Sequence, residues 1–166
     1  RDTLGDTAHR DAWGWGWNKR YIDTTGRNDI RSAKATFDAR SLYFYASTQQ
    51  KLTPPVAGDW MTLYLNTDSS ASTGWMGYDF RVRGLELQKY SGHGWVKAAA
   101  IARKVGAREI ELAIPRRALL AEGSRPRAID FKWTDNCEGD RTWRDFSLHG
   151  DAAPNERFSF RAKFPA

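Results

Sequence analysis

The chain has 166 residues, 40% apolar and 28% charged, enough for one domain with its own core and unlike the composition of a disordered segment. Its net charge of +6 is spread over interleaved bases and acids without zinc-ligand spacing, an RNA-binding signature or a basic helix, so no nucleic-acid partner is expected. No apolar run is long enough to span a membrane, and the single cysteine, Cys137, excludes an internal disulfide.

Residues 1–28 carry Trp13, Trp15 and Trp17 alternating with Gly14 and Gly16, in a stretch with no sustained periodicity. This stretch is too rich in tryptophan and tyrosine for a floppy tail and is expected to wrap the rest as an irregular segment. From residue 30 the period is two. Ala33, Ala35 and Phe37, then Leu42, Phe44 and Ala46, flank Asp38-Ala39-Arg40, which reads as a hairpin. Met61, Leu63 and Leu65 set a core-facing row, with Trp60, Thr62, Tyr64 and Asn66 facing the other way. Tyr78, Phe80 and Val82 alternate with Asp79, Arg81 and Arg83. Further strands are predicted over residues 85–90, 95–102, 109–114, 128–134, 145–148 and 157–164. The one helix signal lies at residues 115–121, where a proline suits the first turn and Gly123 follows the end. About ten short strands with regular turn signals predict an all-β fold: a single antiparallel β-sandwich domain, of jelly-roll or immunoglobulin-like type. The sandwich proper is expected over residues 30–164. The chain opens at Arg1 without methionine or a signal-peptide pattern, as expected of a mature product or an excised domain.

Of the eight tryptophans, only Trp133 lies inside an apolar alternation, with Ile129 and Phe131. The others stand beside turn residues, as in Thr73-Gly74-Trp75, Gly92-His93-Gly94-Trp95 and Arg141-Thr142-Trp143. Aromatic rings offered beside polar groups suit sugars, which present apolar faces and hydroxyl edges together. The alternative is that the rings pack beneath loops. A net positive field would tolerate or mildly favour an acidic polysaccharide.

The segments Ala33-Lys34-Ala35-Thr36-Phe37-Asp38, Leu42-Tyr43-Phe44-Tyr45-Ala46, Met61-Thr62-Leu63-Tyr64-Leu65-Asn66, Thr73-Gly74-Trp75, Glu111-Leu112-Ala113-Ile114-Pro115, Ile129-Asp130-Phe131 with Asp135-Asn136, and Trp143-Arg144-Asp145 follow one another in an order that resembles the family 9 carbohydrate-binding modules and related DOMON-like sandwiches. The resemblance spans roughly residues 30–164. It implies a non-catalytic module that binds an oligo- or polysaccharide, monomeric, extracellular or periplasmic, and linked to or neighbouring a polysaccharide-active catalytic domain. In that family two tryptophans clamp a sugar, one within a Trp-Arg-Asp sequence. Trp143 matches it residue for residue, with Arg144 and Asp145 placed to hydrogen-bond hydroxyls. Trp60 is close to the place of the second clamp residue, and Trp75 is the other candidate for the opposing wall. The long N-terminal segment and the stretch Gly150-Asp151-Ala152-Ala153-Pro154-Asn155-Glu156-Arg157-Phe158 depart from the family, marking a divergent subgroup.

Other sites are weaker. Tyr43, Tyr45 and Tyr64 read either as a stacking strip on one outer face or as a minor core beneath the N-terminal segment. Asp79, Arg81 and Arg83 read as a binding stripe or a solvated strand face. A structural calcium ion is compatible with the oxygens of Asn66-Thr67-Asp68-Ser69-Ser70, although the loop lacks the glycine and glutamate of an EF-hand and also reads as a side-chain-stabilised turn. Asp23, Asp29 and Asp135 are further oxygen donors. No paired carboxylates, histidine motif or triad points to an enzyme. Haem ligation by Met76 with His93 or His149 is a minor alternative, and a structural or protein-docking accessory domain is the main one.

Overall fold

The computed structural model describes residues 2–7, 10–14, 18–55, 59–120, 128–137, 146, 149–155 and 157–164. In chain order β1 (Arg10–Trp13) and β2 (Arg20–Asp23) pair as a ribbon. They are followed by β3 (Ile30–Phe37), β4 (Ser41–Thr48), β5 (Thr62–Asn66), β6 (Phe80–Arg83), β7 (Glu86–Tyr90), β8 (Trp95–Ala100), β9 (Ala102–Val105) and β10 (Glu109–Pro115). One helical turn, α1 (Arg116–Leu119), precedes β11 (Ala128–Asp135), β12 (Asp151–Ala153) and β13 (Phe160–Lys163). The pairings are antiparallel. One sheet runs β3-β4-β10-β9, and the larger runs β12-β11-β5-β6-β7-β8, with β13 sharing the outer edge of β11 with β12.

Alternation fixes the layers. Leu42, Phe44 and Ala46 on β4 and Ile110, Leu112 and Ile114 on β10 are buried against Leu63, Leu65, Phe80, Val82, Leu87, Ile129, Phe131 and Trp133 of the larger sheet. Phe44 meets Phe131 edge to face across the sandwich, at 5.4 Å between ring centroids. Each such fully buried side chain contributes about 1.5–3 kcal/mol relative to exposure. The β3–β4 turn closes on Asp38, whose carboxylate accepts the amides of Arg40 and Ser41 at 2.7 Å each. These amides and the Tyr43 hydroxyl hold the Asp38 carboxyl below its usual range, the Arg40 amide most.

The all-β sandwich expected from the sequence is therefore present, with several local differences. The N-terminal segment is not wholly irregular, since it contains the β1–β2 ribbon. The strand read at residues 95–102 is two strands. β8 closes the edge of the larger sheet, the chain turns at buried Ile101, and β9 joins the edge of the smaller sheet. A strand that changes sheets makes a corner of the sandwich, and periodicity alone does not show the change. The helix begins at Arg116, because Pro115 completes β10, and Leu120 is already extended. Of residues 145–148 only Phe146 is described, and it is not in a strand. Strand β12 has no counterpart in the sequence reading.

Candidate functional site

The outer face of the larger sheet carries a second cluster, and strand register builds it. Lys132 pairs with Tyr64, Tyr64 with Arg81, and Arg81 with Gln88, so these four side chains form a row on the side away from the core. Two residues beyond Gln88, Tyr90 faces the same way and pairs with Trp95 on β8. Trp75, Tyr78, Phe146, Cys137 and Ala152 bury Tyr64 from above. Trp75 stacks on Tyr64 at 5.6 Å and meets the edge of Phe146 at 5.5 Å. Lys132 is fully buried here, and its ammonium donates to the carbonyls of Pro154 and Phe158 while lying 5.3 Å over the Phe146 ring.

Trp75 is delivered by a two-residue turn. The Trp75 and Tyr78 backbones exchange hydrogen bonds of 2.8 and 2.9 Å, with Met76 and Gly77 at positive φ between them. Such a turn matches the twist of paired strands and favours glycine. Gly74 is equally constrained, because a Cβ there would lie 2.2 Å from the Tyr78 carbonyl oxygen.

Beside this turn opens a cleft of about 490 Å³, lined by Trp75, Met76, Arg81, Tyr90, His93, Gly94 and Trp95. Its floor is aromatic. Trp95 meets Tyr90 at 5.3 Å and Trp75 at 6.2 Å, and the Arg81 guanidinium lies 4.7 Å over the Trp95 ring. Arg81 is itself buried and donates through Nε to Gln88 at 2.7 Å. Met76 and His93 are exposed on the rim, so the pair named for haem ligation lines one cleft. Ring faces, one guanidinium and one imidazole around a shallow concavity suit a ligand with both apolar and hydroxyl or carboxylate surfaces.

The residues read from the sequence fall in different places. Trp143, Arg144 and Asp145 lie outside the described residues, as do Trp15 and Trp17. Phe146, the next residue after Asp145, rests on Trp75. Trp75 is 6% exposed, so it supports the cleft from beneath rather than offering a free face. Trp60 is 3% exposed and belongs to the main core, with Nε1 donating to the Thr53 carbonyl at 2.9 Å. Met61 has a φ of 42°, which breaks the alternation that would have turned Trp60 outward. Tyr43 and Tyr45 sit on the smaller sheet and Tyr64 on the larger, so they do not form one strip. Asp79, Arg81 and Arg83 are not a solvated stripe: Asp79 accepts from Thr67, Arg81 is buried, and Arg83 pairs with Asp59 at 2.6 Å. Trp95 stands among turn residues in the sequence, and only the strand register joins it to Tyr90 and Arg81.

The Asn66–Ser70 oxygens serve their own turn. Asn66 Oδ1 accepts the amides of Asp68 and Ser69, and Asp68 accepts from Ser70 and Thr73. Asp23 caps residues 25 and 26, while Asp135 takes Arg27 at 2.8 Å and the Met61 amide. Asp29 does converge with other acids, at the opposite end of the strand order from Trp95. One oxygen each from Asp6, Asp29 and Asp151 lies within 4.8 Å of the others. Burial pushes the Asp151 carboxyl up to about 8 against hydrogen bonds from the Ile30 and Ala152 amides, with Asp6 and Asp2 adding to the rise. Burial likewise raises Asp2, to about 6, and Asp29.

No family model, curated protein or solved structure matches the chain.

Proposed function

We propose that this domain binds carbohydrate without chemistry of its own, at the cleft between the Trp75–Tyr78 turn and the β7–β8 hairpin. The observation that carries this reading is the aromatic floor of Tyr90 and Trp95, held by Arg81 and bordered by exposed Met76 and His93. Sugar rings would lie against Trp95 and Tyr90, with His93 addressing hydroxyl or carboxylate groups and Arg81 holding the Trp95 ring in place. Trp143, Arg144 and Asp145 enter this reading as sugar contacts on the family resemblance alone. Trp60 and Trp75 become supports in this reading rather than walls. Each ring contact contributes on the order of 1 kcal/mol beyond burial, so binding is micromolar or weaker. The setting that suits such a domain is an accessory module of an exported polysaccharide-active protein.

The test is affinity gel electrophoresis over neutral and acidic polysaccharides, with wild type, His93→Ala and Trp143→Ala. Retention by one class, reduced in both variants, supports the reading. No retention on any polysaccharide overturns it.

A docking role is favoured by one separate observation. Exposed Phe158 and Met76 border a second concavity of about 340 Å³, with Arg157, Arg161 and Asp130 in its lining. An apolar pair ringed by charge is a feature of protein-contact sites. Phe158→Ala leaves polysaccharide retention unchanged if the first reading holds.

A further inference from the structure

We propose that Asp6, Asp29 and Asp151, with Asp2 beside them, form a calcium site that joins the N-terminal segment to both sheets. One carboxylate oxygen from each lies within 4.8 Å of the others, and two oxygens on one calcium ion can stand no further apart than about twice the 2.4 Å bond, a limit that every pair here meets. An all-oxygen set of several protein carboxylates suits calcium, which takes about six to eight oxygens in flexible geometry, better than magnesium, which keeps several of its waters.

The partners of these acids leave oxygens over. Asp29 Oδ2 accepts the Gly5 amide at 2.8 Å, and Asp6 Oδ2 accepts Asn155 Nδ2 at 2.6 Å. Asp151 is satisfied by the amides of Ile30 and Ala152 at 2.6 and 2.8 Å. Oδ1 of Asp6, Oδ1 of Asp29 and Oδ2 of Asp2 are buried and accept nothing. Asp29 is only 6% exposed, so its free oxygen is an unpartnered polar atom inside the protein. Thr7 Oγ1, next along the chain from Asp6, is fully buried and also lacks a partner.

Charge makes the same point. Among the described residues no lysine or arginine forms an ion pair with any of the four acids. Lys132, whose field reaches Asp2, donates instead to the carbonyls of Pro154 and Phe158. Arg10 approaches the Asp6 and Gly150 carbonyls rather than the carboxylates. Several buried carboxylates without a counter-ion repel one another and are poorly solvated, whereas a hard divalent cation satisfies oxygen lone pairs and charge together.

The site would work structurally. Asp2 and Asp6 belong to the segment before β1, Asp29 immediately precedes β3 of the smaller sheet, and Asp151 opens β12 of the larger sheet.

The chelator-stripped chain is titrated with calcium chloride and followed by calorimetry and by thermal melting, beside Asp29→Asn and Asp151→Asn. Magnesium chloride is the comparison ion. In wild type, calcium at a hundred times its Kd raises Tm by about 5–10 °C, and the two variants lose that rise together with at least tenfold in affinity. Asp6→Asn, outside any strand, keeps the comparison readable if a strand variant does not fold. A wild-type chain that gives neither heat nor a Tm shift with calcium overturns the proposal. Full calcium response in a folded variant overturns the placement, and an equal response to magnesium overturns the choice of ion.

Discussion

The Arg81 guanidinium lies 4.7 Å over the ring of Trp95, from a neighbouring strand pair on the outer face of the larger sheet. Buried between Gln88 and an indole, the cation fixes the ring that floors the cleft. Because the contact is desolvated, it contributes on the order of 2 kcal/mol. Arg81→Met is therefore expected to lower stability by about that amount and to loosen Trp95. The check is denaturant unfolding together with tryptophan emission, which shifts to the red as Trp95 gains water.

The cleft's rim separates binding from stability. Met76 and His93 are exposed, so replacing either by alanine should change stability by no more than about 0.5 kcal/mol. If sugars occupy the cleft, the same variants weaken retention several-fold. A melt and an affinity gel on one preparation decide it, and unaltered retention in both variants would place the ligand elsewhere.

Gly74 is a backbone requirement. Its φ is 63°, and a Cβ would meet the Tyr78 carbonyl oxygen at 2.2 Å. Gly74→Ala should cost more than about 1 kcal/mol, through strain in a conformation that alanine adopts poorly. Near-ultraviolet circular dichroism should change with it, because Trp75 leads out of the same turn.

Tyr78 links the aromatic cluster to alkaline pH. Burial pushes its hydroxyl up to about 12, against the Ser159 hydrogen bond that acts in the opposite sense. An acid whose folded pKa exceeds its unfolded value holds its proton more tightly when folded. Its contribution is thus complete below about pH 10 and is lost as pH rises towards 12. Absorbance at the tyrosinate band should show one tyrosine titrating together with unfolding. Tyr78→Phe should flatten the decline in stability over that interval.

How much of this was legible beforehand depended on distance along the chain. The hairpin around Asp38, the core row of Leu63 and Leu65 and the placement of Trp133 are local matters of alternation, and they stand as read. Trp60 was misplaced by extending that alternation one residue past a positive-φ methionine, a change that side-chain type does not announce. Tyr45 and Tyr64 both point outward, but from different sheets, and period-two patterning is blind to sheet membership. The acidic cluster is the extreme case. Asp6 and Asp151 are far apart in sequence and share no spacing signal, and the one member named from the sequence as an oxygen donor, Asp29, is grouped there with Asp23 and Asp135, which bind elsewhere.

The crossing at Ile101 has a mechanical consequence. Along that margin a single covalent run edges both layers, so the layers cannot part there without the chain itself yielding. The opposite margin, where β3 faces β12, is fastened by side chains: the Asp151 carboxylate takes the Ile30 amide, and Arg27 pairs with Asp135. The sandwich therefore resembles a book with one spine and one clasp. Partial opening should begin at the clasp, and amide exchange in β3 and β12 should outpace exchange in β8 and β9.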